Sequence, residues 1–230
     1  MPSLVERLLR DPVHDLWRQS LEHPLVRGLG DGTLAPSHFR YFIQQDAVYL
    51  LDFSRVLAMA AARAASRSDE RTLLKHALSV HEVEQALHED LAPRLGLEAA
   101  VLTGTPPGAV TTAYTDHLLR HAWASSAATV MAAVLPCYWL YRDVGQALAG
   151  DLPAHEEYQA WILTYAGDTY GEAVAEVLEM EERLVADAGA DERPASARAF
   201  SASLRYEWLF WEQAWREGAL PLQGFDPSAQ

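Results

Sequence analysis

The chain has 230 residues, with 32 acidic against 18 basic side chains, a formal charge of -14, 50% hydrophobic residues and 22% charged. That balance repels a phosphate backbone and an anionic lipid surface, so neither nucleic acid nor membrane is an expected partner. The composition is that of a globular chain rather than a disordered one. One cysteine makes no internal disulfide, no basic stretch leads into an apolar run, and no apolar run is long enough for a bilayer. The expected compartment is therefore the cytoplasm.

Asp11-Pro12 predicts a capped helix running to about His23, and Arg27 to Thr33 (RGLGDGT) reads as a loop. Ala35-Pro36-Ser37 opens a long helix to about Ala65. Asp69 caps the next, which ends near Gly96, and residues 103–110 (TGTPPGAV) form a loop. Helical period resumes from about Thr112 to Trp123 and from about Ser126 to Ala149. After a turn at Asp151 to Pro153 it continues over 154–166, 168–188 and 195–217, with an extended tail from Pro221. No strand pattern, repeat or linker interrupts this. The expected fold is all-α, one domain over residues 1–230, a bundle of seven to nine helices.

Three helix faces break the apolar pattern. Phe42, Asp46, Tyr49 and Phe53 are spaced 4, 3 and 4, as are Phe200, Leu204, Glu207 and Trp211, with Phe210 alongside. Each stripe carries one carboxylate, which costs free energy when buried unless it is paired or hydrogen-bonded. An ion pair with Arg55 or Arg205 is one resolution. A shared polar pocket with acid–base work is the other. In the third, Pro136 lies inside a helical pattern beside Cys137, and Tyr141 follows on the same face. A lone Cys is ordinarily a small buried hydrophobe, and Pro136 weighs against that reading.

Tyr158, Trp161 and Tyr165 share one face, and Tyr114 follows the Pro-Pro loop. A competing constellation is His81, Glu84 and His88 on one helix, with His76 nearby and His117 and His121 as a second pair. Helical bundles build di-iron sites from such residues, but a second Glu-x-x-His is missing here.

In order along residues 40–215, the chain resembles the TenA (thiaminase II, aminopyrimidine aminohydrolase) family. The resemblance rests on Gln45-Asp46-Ala47-Val48-Tyr49-Leu50, Tyr114, Leu135 to Tyr141 (LPCYWLY), Tyr158 to Tyr165 (YQAWILTY) and Tyr206 to Trp211 (YEWLFW). It implies a haem-oxygenase-like helical bundle without haem, metal or organic cofactor. It also implies a cytoplasmic homotetramer in thiamin salvage. The implied reaction is conversion of 4-amino-5-aminomethyl-2-methylpyrimidine to its 5-hydroxymethyl product, or cleavage of thiamin. Cys137 would be the nucleophile, Glu207 the proton donor to a ring nitrogen, and Asp46 the partner of the exocyclic amine. Tyr49 and Phe210 would sandwich the ring, with Tyr114, Tyr141 and Tyr165 around it. Two rival readings are an oxidase of the same fold (with a metal at His81/Glu84/His88, or cofactor-free on a quinone precursor) and a non-catalytic pyrimidine-binding regulator.

Overall fold

The structure is a computed structural model that describes residues 2–97 and 104–219, the side chains of 83–85 and 87–89 excepted. Two short helical turns, Glu6–Arg10 and Asp11–Val13, lead into α1 (His14–Leu21), α2 (Pro24–Asp31), α3 (Pro36–Ala62) and α4 (Arg67–Ser79). A π-helical turn, Val80–Glu84, joins α4 to α5 (Gln85–Arg94). Then follow α6 (Ala109–Ala124), α7 (Ala127–Leu148), α8 (Glu156–Ala166), α9 (Asp168–Asp187) and α10 (Glu192–Trp215). Among the described residues there is no strand, as the periodicity predicts. The extended tail from Pro221 lies outside the described residues.

The segment expected as a loop at Arg27 to Thr33 is instead largely α2. Pro24 sits at its first turn, the His23 ring accepts from the Leu25 N–H, and Leu25, Val26, Gly28 and Leu29 are buried. Gly32 ends the helix at φ 75°. Its glycines punctuate one short helix because one of them packs close: a Cβ on Gly28 would lie 3.1 Å from the Leu34 nitrogen. The cap of α4 also differs from expectation. Ser66, not Asp69, accepts from the backbone, and the N–H it caps belongs to Asp69. The Asp69 carboxylate is drawn away to Arg183, at 2.6 Å.

At the centre stands α7, apolar nearly all round, as a helix buried on every side must be. From Ala128 to Tyr141 every residue except Cys137 is buried. It packs most extensively on α10, then on α8 and α9, while α3 packs on α4 and α6. The α7–α8 contact is close at one point, where a Cβ on Gly145 would lie 2.6 Å from backbone atoms of Tyr165 and Ala166. The core is unusually aromatic: Phe42, Trp161 and Trp211 meet one another at centroid distances of 5.4 to 6.4 Å. Each such ring contributes roughly 1.5–3 kcal/mol by burial, and contact geometry adds about 0.5–1.5. That surplus is what allows a few acids to sit in the interior.

Candidate active site

Asp46 on α3 and Glu207 on α10 are both buried, at 3% and 1% exposure. Asp46 lies close enough to Glu207 for its charge to act on it. Arg55 pairs with Asp52, and Glu207 is held by Tyr114, whose hydroxyl donates to Oε1 at 2.7 Å. Burial, opposed by that hydrogen bond and assisted by Asp46, pushes the Glu207 carboxyl up to about 8. At neutral pH it therefore carries a proton.

Cys137 reaches this group from α7. It is partly buried and lies near enough to Tyr49, Tyr114 and Tyr141 to act on the ionisation of all three hydroxyls. Burial first, then these neighbours, hold the three tyrosines well above their ordinary range, so each stays a neutral hydroxyl. The Tyr49 hydroxyl is buried without a hydrogen-bond partner of good geometry, although that of Tyr114 is close enough to perturb it. Such a buried, unsatisfied hydroxyl is costly unless a ligand meets it.

Six residues singled out in the sequence thus converge: Asp46, Tyr49, Tyr114, Cys137, Tyr141 and Glu207. Tyr165 stands one ring behind, packed on Tyr141 at 5.1 Å. Phe210 and Tyr49 meet edge to face, 5.7 Å apart and inclined 61°. They touch each other and leave no ring-thick gap between them, so they form one wall rather than the two faces of a sandwich. Tyr206 stacks on Tyr114 at 5.2 Å and backs it. Tyr158 is a core residue whose hydroxyl donates to the Leu34 carbonyl.

Two further groups adjoin the site in arrangements that the sequence does not show. Gln45 accepts from Gly108 N at 2.8 Å and from the Thr111 hydroxyl at 2.6 Å, and donates to the Pro106 carbonyl at 3.2 Å. It pins the Pro-Pro loop to α3 one residue before Asp46. A Cβ on Gly108 would lie 2.9 Å from Gln213 Oε1 and 3.0 Å from the Tyr41 hydroxyl, so a larger residue there would push those side chains aside. Only the loop composition hinted at the contact. The second group begins at Tyr138, whose hydroxyl meets His76 Nδ1 at 3.1 Å, while His76 Nε2 meets Glu176 at 2.9 Å.

The competing histidines have local partners: His81 meets the Ser54 hydroxyl and His117 that of Ser203. Glu84 and His88 lie outside the described side chains. Among the described residues no three His, Cys, Asp or Glu side chains converge on a point fit for a metal. No helix of the described residues is long and apolar enough to cross a membrane.

A sequence profile of the TENA/THI-4/PQQC family matches residues 10–217. The chain belongs to this family. An aminopyrimidine aminohydrolase of Bacillus subtilis (strain 168) is 35% identical over 208 residues, which is 90% of this chain and 88% of that protein. The solved TenA homologue of P. horikoshii OT3 superposes with a TM-score of 0.85 at 26% identity, covering 94% of this chain and 99% of its own. A heme oxygenase-like domain from Shewanella denitrificans OS217 aligns with a TM-score of 0.70 at 13% identity over 90% of each chain. At that identity the likeness is one of fold, and it bears out the haem-oxygenase-like bundle expected for this TenA-family chain.

Proposed function

We propose that this chain is a thiamin-salvage hydrolase acting on aminopyrimidines. It converts 4-amino-5-aminomethyl-2-methylpyrimidine to the 5-hydroxymethyl product, cleaves thiamin at the same bond, or does both. The reading takes its substrate class from the Bacillus subtilis relative. The observation that carries it is the buried Glu207, bonded to the Tyr114 hydroxyl, which also lies near Cys137 inside an aromatic enclosure. A thiol adds to an aminopyrimidine ring only if a ring nitrogen is protonated as it does so. Since Oε1 of Glu207 accepts from Tyr114, its proton resides on Oε2, available to the ring.

In this reading Cys137 adds to a ring carbon and Glu207 protonates a ring nitrogen. Asp46 binds the exocyclic amine and takes up the thiol proton. The substituent on the methylene carbon leaves, water adds there, and the carbon–sulfur bond breaks. Tyr49 and Phe210 wall one side of the ring, and Tyr114, Tyr141 and Tyr165 surround it. The chain acts as one domain, in the cytoplasm and as a homotetramer. The exposed Leu51, Leu74, Leu78 and Trp123 supply apolar surface for assembly, and light scattering measures the oligomer.

The deciding experiment incubates the purified protein with the aminomethyl-pyrimidine and, separately, with thiamin. Chromatography then follows the hydroxymethyl product and an ammonia assay follows the leaving group. Turnover of either is expected. Absence of turnover on both overturns the reading.

A further inference from the structure

A cavity of about 170 Å3 opens next to Cys137. Cys137, Tyr138, His76, Phe53, Thr164 and Tyr170 line it. Phe53 stacks on Tyr49 at 5.5 Å, so the cavity adjoins the aromatic group that surrounds Glu207. Tyr170 closes another wall and donates to the Cys137 carbonyl at 3.2 Å.

One wall holds a chain of polar groups that the proposed chemistry has not used. The Tyr138 hydroxyl meets His76 Nδ1 at 3.1 Å, His76 Nε2 meets Glu176 Oε2 at 2.9 Å, and Glu176 also accepts from Lys75 at 3.0 Å. His76 is 4% exposed, whereas Glu176 is 40% exposed on its side-chain atoms. The chain therefore runs from the cavity, through a buried imidazole, to solvent.

The charges fix the direction of its hydrogen bonds. Lys75 and His76 hold the Glu176 carboxyl below its usual range, so it is ionised and accepts from His76 Nε2–H. Burial, outweighing Glu176, keeps the imidazole of His76 below its ordinary value, and Lys75 adds to that lowering. His76 is then neutral at pH 7, Nδ1 is its acceptor, and Tyr138 donates to it. A carboxylate orienting a neutral imidazole that takes a proton through a hydroxyl is the arrangement of a general base.

We infer that Tyr138, His76 and Glu176 form a proton-accepting relay for the hydrolytic half of the reaction, with Tyr138 as the group that meets the water in the cavity. The inference rests on the hydrolase reading above. Alkylamines are protonated at neutral pH, so an aminomethyl substituent enters as ammonium. When its C–N bond breaks, both electrons go to nitrogen and ammonia leaves without needing a further proton. Water then adds to the methylene carbon and must lose one proton. That proton passes to Tyr138 as Tyr138 gives its own to His76 Nδ1. The C–S bond breaks and the thiol is restored. The imidazolium, held by Glu176, releases its proton to solvent, where it meets the ammonia. The groups facing the relay are Lys75 and Glu176 beside His76, with Glu172, Tyr170 and Cys137 around the cavity.

The test uses the full chain with the aminomethyl-pyrimidine and three variants. Tyr138→Phe removes only the hydroxyl. His76→Gln keeps a side chain able to bond both neighbours but unable to take a proton. Glu176→Gln removes the charge that favours the imidazolium. The first two are expected to lower kcat about 10²-fold with KM little changed and thermal midpoints near wild type. In His76→Gln the acid limb of the pH profile is lost, and in Glu176→Gln it moves to lower pH. A structural role for these residues moves stability and leaves the acid limb where it was. If wild type is active and the variants keep its kcat and acid limb, the relay is overturned alone. If wild type turns over no aminopyrimidine, the hydrolase reading falls and takes the relay with it.

Discussion

The Tyr114 hydroxyl donates to Glu207 Oε1 across 2.7 Å and ties α6 to α10 inside the core. This bond is the one influence that lowers the Glu207 carboxyl, against burial and the Asp46 charge that raise it to about 8. Removing it in Tyr114→Phe leaves the raising influences unopposed. The alkaline limb of kcat/KM, which follows loss of the Glu207 proton, is expected to move to higher pH. Profiles of wild type and variant measure it directly. A limb that stays in place or moves down shows that Glu207 is not the group titrating there.

Glu207→Gln retains the shape and a hydrogen-bond donor but has no proton to give. Its kcat is expected to fall by roughly 10²–10⁴, and the alkaline limb should vanish. A variant with wild-type turnover removes Glu207 from the chemistry.

Cys137→Ser replaces one atom on the only partly buried position of a long buried run, so its effect on folding is small. Turnover is expected to drop on the order of 10³-fold or more, because a neutral hydroxyl is a far poorer nucleophile than a thiol. Mass spectrometry of the quenched wild type should show a pyrimidine adduct on this residue. Turnover close to that of wild type in Cys137→Ser would end the case for a nucleophilic thiol.

Gly145→Ala should destabilise strongly. The new methyl meets backbone atoms of α8 at 2.6 Å, not the end of a flexible chain, so the helices must separate. A cost of about 1–3 kcal/mol or more is expected, read as a lowered midpoint in denaturant. Because α8 carries Tyr165, KM should rise as well.

Glu181 on α9 is fully buried, and neither oxygen has a hydrogen-bond partner. Burial, then Glu182 and Glu192, holds its carboxyl well above the usual range. In the unfolded chain it ionises near its ordinary value of 4.5, so the folded state loses stability as pH rises above that value. Glu181→Leu is therefore expected to stabilise by about 1–3 kcal/mol at neutral pH. The gain should shrink as pH falls toward 4.5, and thermal melts across that range check the sign. A gain independent of pH would show that packing, not ionisation, sets the effect.

Much of the site was legible in the sequence because helical spacing places residues on faces. Asp46 and Tyr49, three apart, lie on one buried stripe of α3, and Cys137 and Tyr141, four apart, on one face of α7. What spacing does not give is the partner on another helix. Gln45 reads as an ordinary polar neighbour of Asp46 until Gly108, 63 residues on, is seen to donate to it. His76 and Tyr138 are 62 residues apart and meet only because α4 and α7 border the same cavity. The helix α2 was masked by its glycines, whose turn-forming character hid a short helix closed by Pro24 and Gly32. The Ser66 cap was hidden by the stronger capping signal of Asp69, which Arg183 had already claimed.

The single gap in the buried run of α7 has a practical meaning for handling the molecule. The chain's only sulfhydryl borders a cavity, so any electrophile small enough to enter finds one target per chain. A maleimide or a disulfide reagent would count intact pockets directly, with no substrate needed, and a ligand filling the cavity would slow the labelling. If Cys137 is the nucleophile proposed above, peroxide reaching that sulfur by the same route would switch off each copy. On the proposed chemistry, a thiol reductant in storage buffer bears on catalysis rather than on folding.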